Sequence, residues 1–415
     1  MTQDSTRLLS VAQYNGNEEI GRQISHTSVI SAFYWQAGEG FKFPTRVKFE
    51  SELWKFIDSQ QGESVEEKVQ WLDGLTPWEY EQFCKVIKET IRYSQEKFQK
   101  SIMAPSVLLG DLNLLRHLRY LYGNSLPRIM EIGPGSGQLG SLLSLNGYPY
   151  MALEVTQAFY LHQAHFWNQL PKIKLVELAQ HDPNSAPPEN LKVEQGTMLH
   201  VPWFHFRWLT EAKDLGVDTV FCERALCELG VASLKFYLRL SRNLLLANSS
   251  GLPKYFIYSN RGSVKYMRSS YLHCEFIRSG FELIHLDSKI TVYAVKDTPE
   301  AQGSLTDREF RLKKASHIAK VVLKFPFSLV KSFRTYQSHH DPWMVWRVFE
   351  GVDPPVSGSI FFPARRSEAS RCIVDGKKNP PKRDFGKQEV SKFVNKLLGG
   401  GKHIVGSTPQ WLKKD

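Results

Sequence analysis

Between residues 105 and 297 the chain alternates short apolar runs with longer stretches whose apolar residues recur every three or four positions. That alternation predicts a parallel α/β sheet with strands at 128–132, 150–154, 198–201, 219–222 and 255–258. After a helix at about 263–279 come two more apolar runs, 281–286 and 290–295. Only Asp287, Ser288 and Lys289 separate them in register, and so short a link forces an antiparallel pair.

Residues 1–104 read as helical. Ser64 followed by Glu67 has the spacing of a capping box. Thr76 followed by Pro77 opens a second helix, whose residues Trp78, Phe83, Val86, Ile87, Ile91 and Tyr93 recur at helical spacing. This region is either a cap over the sheet or a plain extension packed against it. Pro183, Pro187 and Pro188 mark 171–196 as a surface excursion. Residues 298–415 form a basic extension with weaker order signals. Within it, 317–334 reads as a packed helix broken at Pro326, with a membrane-surface helix as the other reading. The basic, Pro- and Gly-rich composition from Lys377 to Lys402 predicts a flexible tail.

Charge sharpens this division. The net charge is +11 over 415 residues, yet residues 301–415 hold 22 Lys and Arg against 10 Asp and Glu, and residues 1–300 hold 31 against 32. The basic excess therefore belongs to the extension. A solvated tail is the favoured reading over a nucleic-acid contact, because the run carries no known binding motif. Five cysteines (Cys84, Cys222, Cys227, Cys274, Cys372) without C-x-x-C spacing exclude a zinc ribbon or redox motif. No signal-like apolar run opens the chain and no stretch approaches a membrane span, so a cytoplasmic protein is expected.

The chemistry concentrates at 128–140, Arg-Ile-Met-Glu-Ile-Gly-Pro-Gly-Ser-Gly-Gln-Leu-Gly. Gly133, Gly135 and Gly137 follow an apolar strand and precede a helix beginning at Gln138. Such glycines let backbone approach a ligand, and the helix N-terminus supplies free N–H groups. The next strand ends in Glu154, placed to accept hydrogen bonds from both ribose hydroxyls of a nucleotide-like cofactor. Gly135, Gly137 and Gly140 also satisfy G-x-G-x-x-G, so a nicotinamide-dependent oxidoreductase is one reading. Glu131 opposes it: a carboxylate at the strand mouth repels a pyrophosphate and attracts a sulfonium or an ammonium. The pattern Glu131-Ile-Gly133-x-Gly135-x-Gly137 resembles motif I of the class I S-adenosylmethionine-dependent methyltransferases. That resemblance implies S-adenosyl-L-methionine held by Glu131, Gly133, Gly135, Gly137, Gln138 and Glu154, and a Rossmann-like sheet closed by an antiparallel hairpin.

Methyl transfer to oxygen needs a base near the acceptor hydroxyl. Glu228, Glu223 and His200 are the candidates in that order, since they follow the third and fourth predicted strands at the ligand-binding end. Glu223 could instead pair with Arg224, Glu228 could cap the next helix, and His200 could be a satisfied core residue. His205 reads as core, and Trp203 as either core or a stacking platform. His162 and His165 read as structural, and no spacing suggests a metal site.

The segments 131–137, 153–167 and 224–229 together resemble the bacterial sugar O-methyltransferase family over residues 105–297. The resemblance implies a sugar or similar polar metabolite as the small-molecule acceptor. A nucleic-acid methyltransferase docking through the basic tail is the further alternative. The amino-methylating enzymes of that kind often carry an Asn/Asp-Pro-Pro-aromatic tetrad after the fourth strand, where this chain has Cys222-Glu-Arg-Ala.

Overall fold

A strand covered on both faces shows consecutive buried residues instead of alternation. The computed structural model describes residues 8–24, 45–58, 64–188, 191–211, 215–223, 225–226, 229, 231–259, 269–287, 290–296, 359–360 and 384–397. In it, β1 (Ile129–Ile132) and β2 (Tyr150–Glu154) are buried at every position. The same holds for β5 (Thr219–Cys222) and β6 (Tyr255–Tyr258).

These strands form the centre of a nine-stranded sheet with β3 (Lys174–Glu177), β4 (Thr197–Pro202), β7 (Phe281–Asp287), β8 (Thr291–Val295) and β9 (Ser359–Ile360). The order is β3-β4-β2-β1-β5-β6-β8-β7-β9. Strands β1 to β6 pair in parallel, whereas β8 runs antiparallel to both β6 and β7. The five expected parallel strands and the closing hairpin are thus all present. Strand β3 was not anticipated. It is a partly exposed edge inside the supposed surface excursion, and its Lys-Leu-Val-Glu sequence lacks the apolar run of its buried neighbours. This is the expected Rossmann-like sheet, parallel strands closed by an antiparallel hairpin, extended by an edge strand on each side.

β1 lies between β2 and β5, so the sheet reverses its winding there and opens a crevice at the carboxyl ends of β1 and its neighbours. The glycine loop falls in that crevice.

Among the described residues five helices precede the sheet: α1 (Val11–Ile24), α2 (Trp54–Asp58), α3 (Val65–Trp71), α4 (Pro77–Phe98) and α5 (Pro105–Tyr122). The sequence signals for α3 and α4 correspond to real caps. Ser64 Oγ accepts from Glu67 N at 3.0 Å. Thr76 and Glu79 exchange hydrogen bonds in a complete capping box, with Pro77 in the first turn. The buried face of α4, including Phe83, Val86, Ile87 and Ile91, joins one hydrophobic core with α5 and the sheet. Arg116 of α5 clamps the turn before α4. It donates to both Glu79 carboxylate oxygens, at 2.7 and 2.9 Å, and to the carbonyls of Leu72 and Gly74. Tyr14 of α1 and Phe56 of α2 enter the other core, beside β4.

The remaining helices among the described residues are α6 (Gln138–Leu145), α7 (Gln157–Trp167), α8 (Phe206–Glu211), α9 (Val231–Ala247), α10 (Ser269–Arg278) and α11 (Lys387–Leu397). Most of the basic extension, including 317–334, lies outside the described residues. Within the stretch expected to be a flexible tail, however, α11 docks onto the N-terminal helices. Val390 and Val394 are buried, Phe385 stacks on Tyr80 at 4.1 Å, and Phe385 bridges Leu75 by two backbone hydrogen bonds. Composition hid two valines on one face of an otherwise polar segment. Among the described residues no helix is long and apolar enough to cross a membrane.

Candidate functional site

The loop joining β1 to α6 owes its path to three left-handed residues, Gly133, Gly135 and Gly137, at φ 68°, 57° and 73°. At Gly137 space is short as well: a Cβ would stand 2.9 Å from the Trp167 ring and 3.1 Å from Gln163 Cγ. The Trp167 indole N–H fastens this corner by donating to Gly137 O at 3.0 Å. Gly140 has a packing reason of its own, since a Cβ would meet the Tyr150 ring at 2.7 Å. Its place in G-x-G-x-x-G therefore follows from helix–strand packing and does not select a dinucleotide.

Glu131 is buried at the carboxyl end of β1 and accepts a hydrogen bond from the Tyr150 hydroxyl. Burial pushes its carboxyl up to about 8; the Tyr150 bond opposes this, and the nearby charges of Glu223 and Glu154 add to it. Glu154 ends β2, also buried. Its Oε1 accepts from the backbone N–H groups of Val155 at 2.9 Å and Thr156 at 2.8 Å, and its Oε2 from Gln163 Nε2 at 3.2 Å. Burial raises the Glu154 carboxyl and these donors pull it back. The Thr156 side chain adds a further hydrogen bond to the same carboxyl.

Ser136 Oγ and both amide atoms of Gln138 are buried beside the loop without a protein partner. Gly133 faces Ala225 of the loop after β5, whose Cβ would lie 3.4 Å from a Cβ on the glycine. That contact brings Glu223, at the tip of β5 and half-buried, to the same crevice. Gly110 of α5 leaves room for it: a Cβ there would sit 3.2 Å from Glu223 Oε1 and 3.9 Å from Lys68 Nζ. Glu228 and Arg224 lie outside the described residues.

His200 is not at the acceptor side. Its ring is fully buried in β4, stacked on Tyr160 at 3.6 Å, with Nδ1 2.9 Å from Glu177 Oε2 and Nε2 2.9 Å from Gln163 Oε1. With both nitrogens engaged inside the core, it has none to offer an acceptor hydroxyl. Trp203 is likewise core, its indole N–H donating to Glu18 Oε1 at 3.0 Å. Burial pushes His162 and His205 down to about 3, which fits their expected structural roles. No cluster of metal-ligating residues occurs among the described residues. Gln163 was the omission from the sequence reading, for a mid-helix glutamine gives no sign of which groups it will face.

No known family and no curated protein matches the chain. Solved structures are similar to just under half of it. One is magnesium protoporphyrin IX methyltransferase from Synechocystis PCC 6803 with bound SAM, at 13% identity, 46% of this chain, 81% of that one and a TM-score of 0.31. The CcbJ methyltransferase from Streptomyces caelestis gives 13%, 45%, 90% and 0.31. A [4+2]-cyclase, SpnF, gives 12%, 44%, 61% and 0.28.

Proposed function

We propose that this protein is an S-adenosyl-L-methionine-dependent methyltransferase acting on a hydroxyl of a sugar or a similar polar metabolite. The observation that carries the reading is the Gly133–Gly137 loop set between two buried acids, Glu131 and Glu154, at the point where the sheet reverses. The residues fit the cofactor. Neither acid pairs with Lys or Arg among the described residues, and the orphaned Ser136 and Gln138 groups line the same loop. Burial holds the proton on Glu131 in the ligand-free protein, and an arriving ammonium or sulfonium would favour its release, whereas a pyrophosphate would not.

When bound, S-adenosylmethionine supplies an electrophilic methyl group. The protein's part is placement and proton handling. The glycine loop and the N-terminus of α6 would hold the amino-acid portion, with Glu131 to meet the ammonium and Glu154 to accept from the ribose. Glu223, beside Gly133 through Ala225, is the described carboxylate positioned to take the acceptor's proton. Glu228 stays a second candidate for that task. The sugar acceptor rests on the family resemblance of the three motifs, and the oxygen acceptor on the carboxylate at β5.

The test is calorimetric titration of S-adenosylhomocysteine into wild type and Glu154→Ala, followed by radiolabelled methyl transfer to a panel of glycosides by Glu223→Gln. We expect at least tenfold weaker binding in the first variant, and near-wild-type binding with depressed turnover in the second. Stabilisation by NAD but not by S-adenosylhomocysteine would overturn the reading.

A further inference from the structure

The Gln163 side chain sits where three pieces of the molecule meet. Its Nε2 donates to Gly135 O at 2.6 Å and to Glu154 Oε2 at 3.2 Å, and its Oε1 faces His200 Nε2 at 2.9 Å. The first partner is a backbone carbonyl that can only accept, so the amide orientation is fixed: nitrogen toward the loop, oxygen toward the histidine. His200 Nε2 must then carry a hydrogen. Its Nδ1 lies 2.9 Å from Glu177 Oε2, so that pair shares one further proton, whichever atom holds it. Glu177 is steadied in turn by the Tyr160 hydroxyl and by Ala179 N at 3.0 Å, and the Tyr160 ring stacks on the His200 imidazole. A chain of directed hydrogen bonds thus runs from the edge strand β3 through β4 and α7 to the glycine loop.

We propose that Gln163 is a positioning residue for the cofactor site, with the buried His200–Glu177 pair fixing the direction of its amide. Gln163 holds the Gly135 carbonyl away from the ligand side. It also donates to Glu154 Oε2 and so holds that carboxyl in one orientation toward the ribose. The pair sits too deep to touch a ligand and acts only through the amide. This inference rests on the cofactor reading and adds to it a set of residues that touch no ligand.

Loss of position is distinguishable from loss of packing by the ribose. If Gln163 aims Glu154, variants will lose the ability to tell a ribose hydroxyl from its absence, and not only lose affinity. The experiment titrates S-adenosylhomocysteine and its 2′,3′-dideoxyribose analogue into the full-length protein and into Gln163→Glu, Gln163→Met and His200→Phe, with ligand-free melting curves alongside. Wild type is expected to prefer the natural ligand roughly tenfold or more, the usual scale for a hydrogen bond to a charged group. Gln163→Glu sets a carboxylate against Gly135 O and Glu154 and should bring the preference near unity. Gln163→Met, close to isosteric, should do the same if the glutamate variant fails to fold. His200→Phe frees the amide to turn and should reduce the preference several-fold. A wild-type preference retained by a folded Gln163 variant overturns the inference alone; wild type that binds neither ligand overturns the cofactor reading as well.

Discussion

Glu131 makes the stability of this protein depend on pH in a calculable way. In the folded chain its carboxyl is pushed up to about 8, chiefly by burial, from an ordinary value of 4.5. Between those values the unfolded chain has released the proton and the folded chain keeps it. Stability from this group is therefore full below about pH 4.5, falls as pH rises, and levels off above about pH 8. For one such group the penalty is roughly 2 kcal/mol at pH 6 and about 5 kcal/mol at pH 8.5, a loss of about 2–3 kcal/mol across the interval. Glu131→Gln keeps an oxygen to accept the Tyr150 hydroxyl and cannot titrate. Urea unfolding of wild type and variant, in parallel at pH 6 and pH 8.5, reads the contribution of this carboxyl and its coupling to its neighbours. The variant should gain about 2–3 kcal/mol on wild type between the two pH values. Parallel stability profiles would refute the argument, for they would mean that Glu131 is already ionised in the folded protein at neutral pH.

Two further outcomes follow from packing. Gly137→Ala combines a left-handed φ of 73° with a Cβ 2.9 Å from the Trp167 ring. It should cost about 2–3 kcal/mol in thermal or chemical unfolding and abolish S-adenosylhomocysteine binding in calorimetry. Arg116→Met strands the buried Glu79 carboxylate and the carbonyls of Leu72 and Gly74. It should destabilise the chain by about 3–5 kcal/mol by urea titration, without changing relative cofactor affinity.

What the sequence revealed depended on how local its physics was. Strands β1, β2, β5 and β6 are covered on both faces, and covered strands must be apolar throughout, so their runs are visible without a partner. The caps at Ser64 and Thr76 and the turns at Gly133 to Gly137 are likewise decided within a few residues. Strand β3 escaped notice because an edge strand can be amphiphilic and draws its hydrogen bonds from β4. His200 shows the limit most clearly. It follows the active end of the sheet in sequence register, but the direction of its side chain depends on Tyr160, Gln163 and Glu177, each from another segment. Helix α11 was hidden for the same reason: its Val390 and Val394 matter only against α3, more than three hundred residues earlier.

That last contact has a consequence during synthesis. Phe385 pairs with Leu75, 310 residues behind it, so the apolar patch around Leu75, Tyr80 and Phe83 waits for its cover until residue 385 has been made. At about 5–20 residues per second that interval is roughly 15–60 s. A nascent chain arrested between residues 360 and 385 would carry this surface bare, with the described strands of the sheet and the glycine loop already made. Protection by a holdase is thus most needed in that interval, after the sheet has been synthesised.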